Sequence, residues 1–485
     1  MKLPQLVLLC GLALPFGVAN AQPDYKIHAV PVPPATVDPA IARAIATIKP
    51  RQIEETIKTL VSFGTRNTLT SMETDLPPGQ GINAAADWIA GQFESISREC
   101  GGCLEVKRDT FIADPASGES WARRIPKPTR ITNVYAILRG SDPAQAGRMV
   151  LVTGHYDSIN SNVFSNWTDT SGAAPGANDD ASGVAVSLAC ARALSKLKVP
   201  STIVFATVAG EEQGLVGSEH LAKLARSEGW ELEAALNNDI VGGNTTPGDT
   251  LQLKDRVRIF SEAVPDTATP QELRRILAIG KDNDSPSREV ARAVAEAAHA
   301  YFPQAGTQAF SAFLEDRPDR YLRGGDHSSF NHEGFAAVRF TEWREDYNHQ
   351  HKNIVRPPAG SDEPVQGDLI EFVDFNYVAH VARLNAATLA TLAFAPGEPQ
   401  KLAIETKKLE NSSSLSWEPP AGGGVAHYEV LWRETTSPTW QYVKNVPSGP
   451  AGEPLTVTLP ISKDNVYFGV RAVDAKGHRG LAVVP

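Results

Sequence analysis

Between residues 149 and 340, short runs rich in β-branched and aliphatic residues alternate with helix-like stretches. This alternation constrains the fold more than any other feature of the chain. The runs at 149–153, 202–208 and 335–340 read as strands, with 234–240 a weaker one, and helical patterns fill 183–197 and 218–227. Strands alternating with helices imply a largely parallel sheet covered on both faces. The expected fold class is α/β, with a mainly parallel central sheet flanked by helices. Upstream, Ile53, Ile57, Leu60 and Val61 recur at three- and four-residue spacing and predict an amphipathic helix.

The two ends of the chain have a different character. Residues 395–399 form a Pro- and Gly-bearing linker, and after it short alternating runs at 415–417, 428–432 and 466–473 are split by Gly, Pro and Ser. They predict a C-terminal all-β sandwich whose aromatic residues pack its core. Residues 22–50 are proline-rich and read as an extended arm or a pro-segment. Residues 1–21 read as a signal peptide: Lys2, an uncharged apolar stretch over 3–18, and the small-x-small site Ala19-Asn20-Ala21. The apolar stretch is shorter than the roughly 20 residues of a membrane helix, and no other span is expected. Lipid attachment at Cys10 is disfavoured by the bulky Leu9 before it. The expected plan is thus 1–21 signal, 22–50 arm, 51–395 α/β domain and 396–485 β-module, with a secreted or periplasmic location. In that setting Cys100 and Cys103 favour a small disulfide over half a zinc site, because no second CxxC exists, and Cys190 reads as a buried thiol.

Five short polar segments bear the chemistry: Gly154-His155-Tyr156-Asp157-Ser158, the stretch 176–183 around Asp179-Asp180, Gly210-Glu211-Glu212-Gln213-Gly214, Asn237-Asn238-Asp239, and Tyr347-Asn348-His349-Gln350-His351. Four of them come at or just after the end of an expected strand. In an open parallel sheet the ligand crevice lies outside the carboxyl ends of the strands, so distant segments can converge there. Imidazole and carboxylate together suit Zn²⁺, and the lack of a cysteine ligand argues against a structural zinc. Adjacent carboxylates repel and are better tolerated beside a cation. With 46 basic against 56 acidic side chains, the chain offers no basic face in bulk, so no nucleic-acid partner is expected.

In this order and at these intervals the five segments resemble the co-catalytic dizinc aminopeptidases of metallopeptidase family 28, over roughly residues 51–395. The resemblance implies the phosphorylase/hydrolase-like zinc exopeptidase fold and two Zn²⁺ per chain. It implies Asp179 as the carboxylate shared by both ions, with His155 and Asp239 completing one and Glu212 and a histidine of the fifth segment completing the other. Glu211 would be the general base toward a metal-bound water, and Asp157 would orient His155. In the family the last ligand is usually followed by an acidic residue four positions on. Here Asn353 follows His349 and Val355 follows His351 at that offset, which favours His349 and keeps His351 as the alternative. Asp326-His327 with Phe330 resembles a family segment beside the substrate pocket. The implied substrates are the N-termini of peptides or proteins, since in the family a free amino group meets the metal site. The C-terminal residues resemble a fibronectin type III module, with Trp417 in its core and Tyr467 opening a late strand, which could contact a surface or substrate. Two rival readings are a single-zinc glutaminyl-cyclase-like acyltransferase, whose ligands overlap these, and a non-catalytic surface-binding protein, which has no need of Glu211.

Overall fold

The computed structural model describes residues 22–27, 29–450 and 452–485. The export signal expected at 1–21 lies outside the described residues. The first strand, β1 (Val30–Pro31), belongs spatially to the C-terminal part of the molecule. Eight strands then build the central sheet: β2 (Leu104–Ala113), β3 (Thr129–Leu138), β4 (Arg148–Thr153), β5 (Thr202–Thr207), β6 (Glu231–Asn238), β7 (Arg256–Ser261), β8 (Ser311–Glu315) and β9 (Ala337–Thr341). Their spatial order is β2-β3-β5-β4-β6-β9-β7-β8. The inner pairs β5-β4, β4-β6 and β6-β9 are parallel, as is β7-β8 at one edge. The β2-β3, β3-β5 and β9-β7 pairs are antiparallel, which makes the sheet mixed around a parallel centre.

Among the described residues ten helices accompany it: α1 (Pro39–Ile45), α2 (Pro50–Ser62), α3 (Gly81–Glu99), α4 (Asn162–Ser165), α5 (Ala181–Leu194), α6 (Val216–Ser227), α7 (Pro270–Ala278), α8 (Pro286–Tyr301), α9 (Asp326–His332) and α10 (Phe375–Phe394). The period-2 alternation of the strands sorts them between two layers. Val150, Val152, Ile203 and Phe205 pack against apolar residues of α2, α3, α5 and α10. Their neighbours Met149, Leu151, Val204 and Ala206 face the other way, onto Leu221 and Ala222 of α6 and Phe330 of α9. This is why β4 and β5 are buried along their whole length. Small residues run all around α5, which is therefore buried on almost every side, and its apolar packing includes the free thiol Cys190. In α2 the predicted Ile53, Ile57 and Leu60 are the buried stripe, and Pro50 occupies the first turn, where its missing N–H leaves no gap. Cys100 and Cys103 form a disulfide. Among the described residues no helix is long and apolar enough to cross a membrane.

The C-terminal strands β10 (Gln400–Ile404), β11 (Ser413–Glu418), β12 (His427–Glu434), β13 (Tyr442–Pro447), β14 (Leu455–Leu459) and β15 (Val466–Val473) form two antiparallel sheets, β1-β13-β12-β15 and β10-β11-β14. A separate core holds them, with Trp417 edge-on to Tyr428 at 5.3 Å and Val430, Trp432 and Phe468 around them. Those aromatics pack inward, as expected from their pattern. The proline-rich arm is laced onto this unit: β1 pairs with β13, Trp432 Nε1 donates to the Tyr25 carbonyl, and His478 sits between Asp38 (3.0 Å) and Asp474 (2.7 Å).

The two-sheet unit meets the α/β unit through buried charge. Arg433 Nη2 lies 2.6 Å from Asp284. Arg292 pairs with Asp284 and Glu289, and Trp440 Nε1 donates to Glu289. Arg471 reaches Glu429 and Glu296, each at 2.7 Å.

Candidate metal centre

The parallel register decides where the polar segments meet. Thr153 stands opposite Asn237, Val152 opposite Phe205, and Asn238 opposite Phe340, so the inner strands end along one edge. His155 and Asp157 follow β4 there, Glu211 and Glu212 follow β5, and Asp239 follows β6. Asp179 comes from the loop that enters α5, and His351 from the long loop after β9.

These residues form two adjoining groups, His155 with Glu211 and Asp239, and Asp179 with Glu212 and His351. Within each group the candidate ligand atoms lie within 4.8 Å of one another. Asp179 stands between them, its Oδ1 3.1 Å from His155 Nε2 and its Oδ2 2.9 Å from His351 Nε2. Glu212 Oε2 is 3.0 Å from His351 Nε2, and Asp239 Oδ1 is 3.9 Å from His155 Nε2. Behind them, the Asp157 carbonyl oxygen sits 3.2 Å from His155 Nδ1, with its carboxylate 3.5 Å away. That carboxylate also accepts the backbone N–H groups of Glu211 and Glu212, both at 3.3 Å. Asp157 thus holds both His155 and the Glu211-Glu212 turn.

One expected ligand is not brought in. His349 stacks on Phe372 at 3.6 Å between centroids and lies beside Thr246 and Asp346, outside both groups. His351 takes its place, because its backbone adopts φ 51° and turns the ring into the centre. The offset to a following acid misled because this loop has no regular repeat to carry the spacing. Asp326 and His327 are buried beside the centre, with His327 Nε2 2.9 Å from the Pro318 carbonyl, and they do not line the cavity.

Three residues that sequence reasoning left without a role support the groups. Asp368 is buried and accepts the backbone N–H groups of Asn178 (2.8 Å) and Asp179 (2.7 Å). Asp180 accepts from His155 N (3.0 Å) and caps α5 through Gly183 N (2.8 Å). Arg339 lies fully buried with Nη2 3.0 Å from Asp239 Oδ1. Asp180 had a signal in the Asp179-Asp180 pair and Arg339 one as a charge inside an otherwise apolar strand, while Asp368 had none.

The electrostatics are those of a site that lacks positive charge. Burial, aided by repulsion from Asp239, Glu212 and Asp326, raises Glu211 well above the usual carboxylate range. Burial likewise raises Glu212, and it pushes Asp368 up to about 7. Burial also presses on Asp179, but His351 and His155 outweigh it and hold that group well below its ordinary value. Burial lowers both imidazoles, yet Asp157 and Asp179 at His155, and Glu212 and Asp179 at His351, lift them far above 6.5. The crowded carboxylates thus favour positive charge at this place in the fold. Glu212 Oε1 is buried without a hydrogen-bond partner among the described residues, and His155 Nε2 has Asp179 Oδ1 at 3.1 Å but not in hydrogen-bonding geometry. A buried imidazole nitrogen and carboxylate oxygen left unsatisfied in an acidic nest fit zinc ligation. A cavity of about 620 Å³ opens onto Asp179, Glu211, Glu212, Asp239 and His351.

Residues 133–359, which contain every member of both groups, match the family model described as peptidase family M28. The chain is 41% identical to a probable zinc metalloprotease of Pyrenophora teres f. teres, covering 95% of this chain and 89% of that one. It is 42% identical to a probable zinc metalloprotease of Leptosphaeria maculans, covering 92% and 96% respectively. A solved structure, the LapA aminopeptidase of Legionella pneumophila, superposes with a TM-score of 0.47 at 18% identity over 75% of this chain and 77% of that one, too loose a likeness to add weight.

Proposed function

The chain belongs to peptidase family M28, a family of peptide hydrolases, and on that premise we propose that it is a dizinc aminopeptidase acting outside the cytoplasm. The observation that carries the reading is the placement of Asp179, whose two oxygens face two different imidazoles, each with its own carboxylate partners. His155 and Asp239 would hold one ion, Glu212 and His351 the other, and Asp179 both. Bound zinc supplies Lewis-acid polarisation of the scissile carbonyl and lowers the pKa of water toward neutrality.

The chain's own residues supply the rest. Glu211 reaches into the cavity floor with a carboxylate whose proton affinity burial has raised. Such a group can accept a proton from water at neutral pH and hand it to the departing amine nitrogen. Asp157 fixes the Glu211-Glu212 turn through two N–H bonds, and Asp368 fixes the Asn178-Asp179 backbone in the same way. The acidic floor favours a substrate whose free amino group is protonated or seeks a carboxylate partner, which is the basis for N-terminal attack. Export is supported by the signal-like residues 1–21 and by the Cys100–Cys103 disulfide, which suits an oxidising compartment. The C-terminal sheets, a fibronectin type III-like module in this reading, would serve surface or substrate contact.

Metal analysis of the purified protein beside hydrolysis of an aminoacyl panel tests the proposal. About two zinc ions per chain, cleavage of free N-termini and no cleavage of N-acetylated controls are expected. One zinc per chain with pyroglutamate formation would make it a cyclase instead.

A further inference from the structure

The walls of the catalytic cavity are as unusual in charge as its floor. Arg124, Arg320, Arg323 and Arg339 all line the space that opens onto Asp179, Glu211 and Glu212. Two of them are committed elsewhere: Arg339 to Asp239 and Asp319, and Arg320 to Asp319 (2.9 Å) and Glu345 (2.8 Å). The other two are less engaged. Arg323 has only Glu345 at 3.1 Å, a carboxylate already shared with Arg320 and with Arg258. Among the described residues Arg124 has no acidic partner, and only a long contact of 3.5 Å to the Glu212 carbonyl oxygen. Each of this pair lies over an aromatic ring, Arg124 at 5.6 Å from the Trp167 centroid and Arg323 at 5.9 Å from that of Tyr347. A guanidinium over a ring keeps N–H groups at its edge, and apart from Arg323 Nη1, which donates to Glu345, those groups can meet the two oxygens of a carboxylate.

We propose that Arg124 and Arg323 make this cleft selective for peptides whose second residue carries a carboxylate, either as an acidic side chain or as the free C-terminus of a dipeptide. The proposal rests on the aminopeptidase reading and deepens it. With the amino group of the first residue drawn to the acidic floor, both arginines, exposed on the cavity wall, are available to the residue that follows it. The floor carboxylates would be engaged by the metal ions and so would not compete with the incoming carboxylate for the arginines. The apolar part of the wall, Phe164 and Leu322, is left for the first side chain.

Four peptides separate the sources: Leu-Gln amide, with no carboxylate, Leu-Glu amide, with only a side-chain one, Leu-Gln acid, with only a terminal one, and Leu-Glu acid, with both. The zinc-loaded protein at low ionic strength is expected to show kcat/KM about tenfold higher for one or both single-carboxylate peptides than for Leu-Gln amide. The preferred peptide names the source. In the Arg124→Gln, Arg323→Gln double variant the ratio should fall toward one, while Arg323→Lys keeps part of it. Because the readout is a ratio within each protein, a partly folded variant does not blur it. Equal kcat/KM across the four peptides in the parent protein overturns the selectivity and leaves the aminopeptidase standing. A ratio that survives the double variant overturns the assignment to these arginines. Cleavage of none of the four overturns both readings together.

Discussion

Two regions bury dense charge, and they do so in opposite ways. At the joint between the α/β unit and the C-terminal sheets, Asp284, Glu289, Glu296 and Glu429 face Arg292, Arg433, Arg471 and Arg479, so acids meet guanidinium groups nearly one for one. At the edge of the central sheet, Asp157, Asp179, Asp180, Glu211, Glu212 and Asp239 face two imidazoles and Arg339. At the joint the acids and guanidinium groups balance in number, and the Arg433–Asp284 and Arg471–Glu296 pairs cross between the two units. The sheet edge gathers more buried carboxylates than the neighbouring imidazoles and Arg339 offset one for one, which is the charge balance that suits a cation site. Burial alone therefore does not mark a functional site; a one-sided imbalance that the surrounding protein leaves in place does.

The comparison can be broken at either end. The largest expected effect is Glu211→Gln, which removes the proton acceptor while keeping size and hydrogen bonding. Turnover should fall by about 10²- to 10⁴-fold with zinc content and melting temperature nearly unchanged, as read by steady-state kinetics and metal analysis. Retained turnover would take the base role away from Glu211.

Next is Asp284→Ala at the joint. Removing one partner strands Arg433 and Arg292 without their shared acid, and the cost should be about 3–5 kcal/mol of stability by denaturant unfolding. Activity per folded molecule should change little, whereas a loss of turnover without a loss of stability would contradict the contrast between the regions. Asp368→Ala is smaller: it frees the two N–H groups behind Asp179, and zinc affinity should weaken roughly 10- to 100-fold in a competition titration.

The smallest effect concerns His478, held between Asp38 and Asp474. Burial lowers its pKa, but the two carboxylates outweigh that and raise it above 6.5. A raised folded pKa gives stability that is fully present below the unfolded pKa and is lost as pH rises through the folded one. Amide exchange in residues 22–38 should therefore accelerate, beyond its intrinsic pH dependence, when the solution is taken above that pKa. In His478→Gln this additional step should be absent.

Much of the centre was legible in the sequence because each of its segments adjoins a strand that periodicity reveals. The runs at 149–153 and 202–208 correspond to β4 and β5 within a residue, and His155, Glu211, Glu212 and Asp239 follow from where those strands stop. What stayed hidden lies where no period exists. The choice of His351 over His349 depends on the φ angle of one loop residue and on Phe372, which holds the other ring. Asp368 carries no motif at all, and its role arises only because the chain returns to lie against Asn178 after a long loop. The antiparallel flank β2-β3 likewise escaped notice, since β2 is an exposed edge strand without clean alternation.

By itself the sequence determined the layering, the strand ends and the kinds of group that gather there, because hydrophobic period and residue chemistry are local properties. Tertiary structure alone decided which imidazole enters, which buried acid orders Asp179, which arginines keep a free edge, and that the arm at 22–38 binds across the C-terminal sheets. Those outcomes depend on which distant groups satisfy one another once water is excluded, and no stretch of chain encodes its partners on its own.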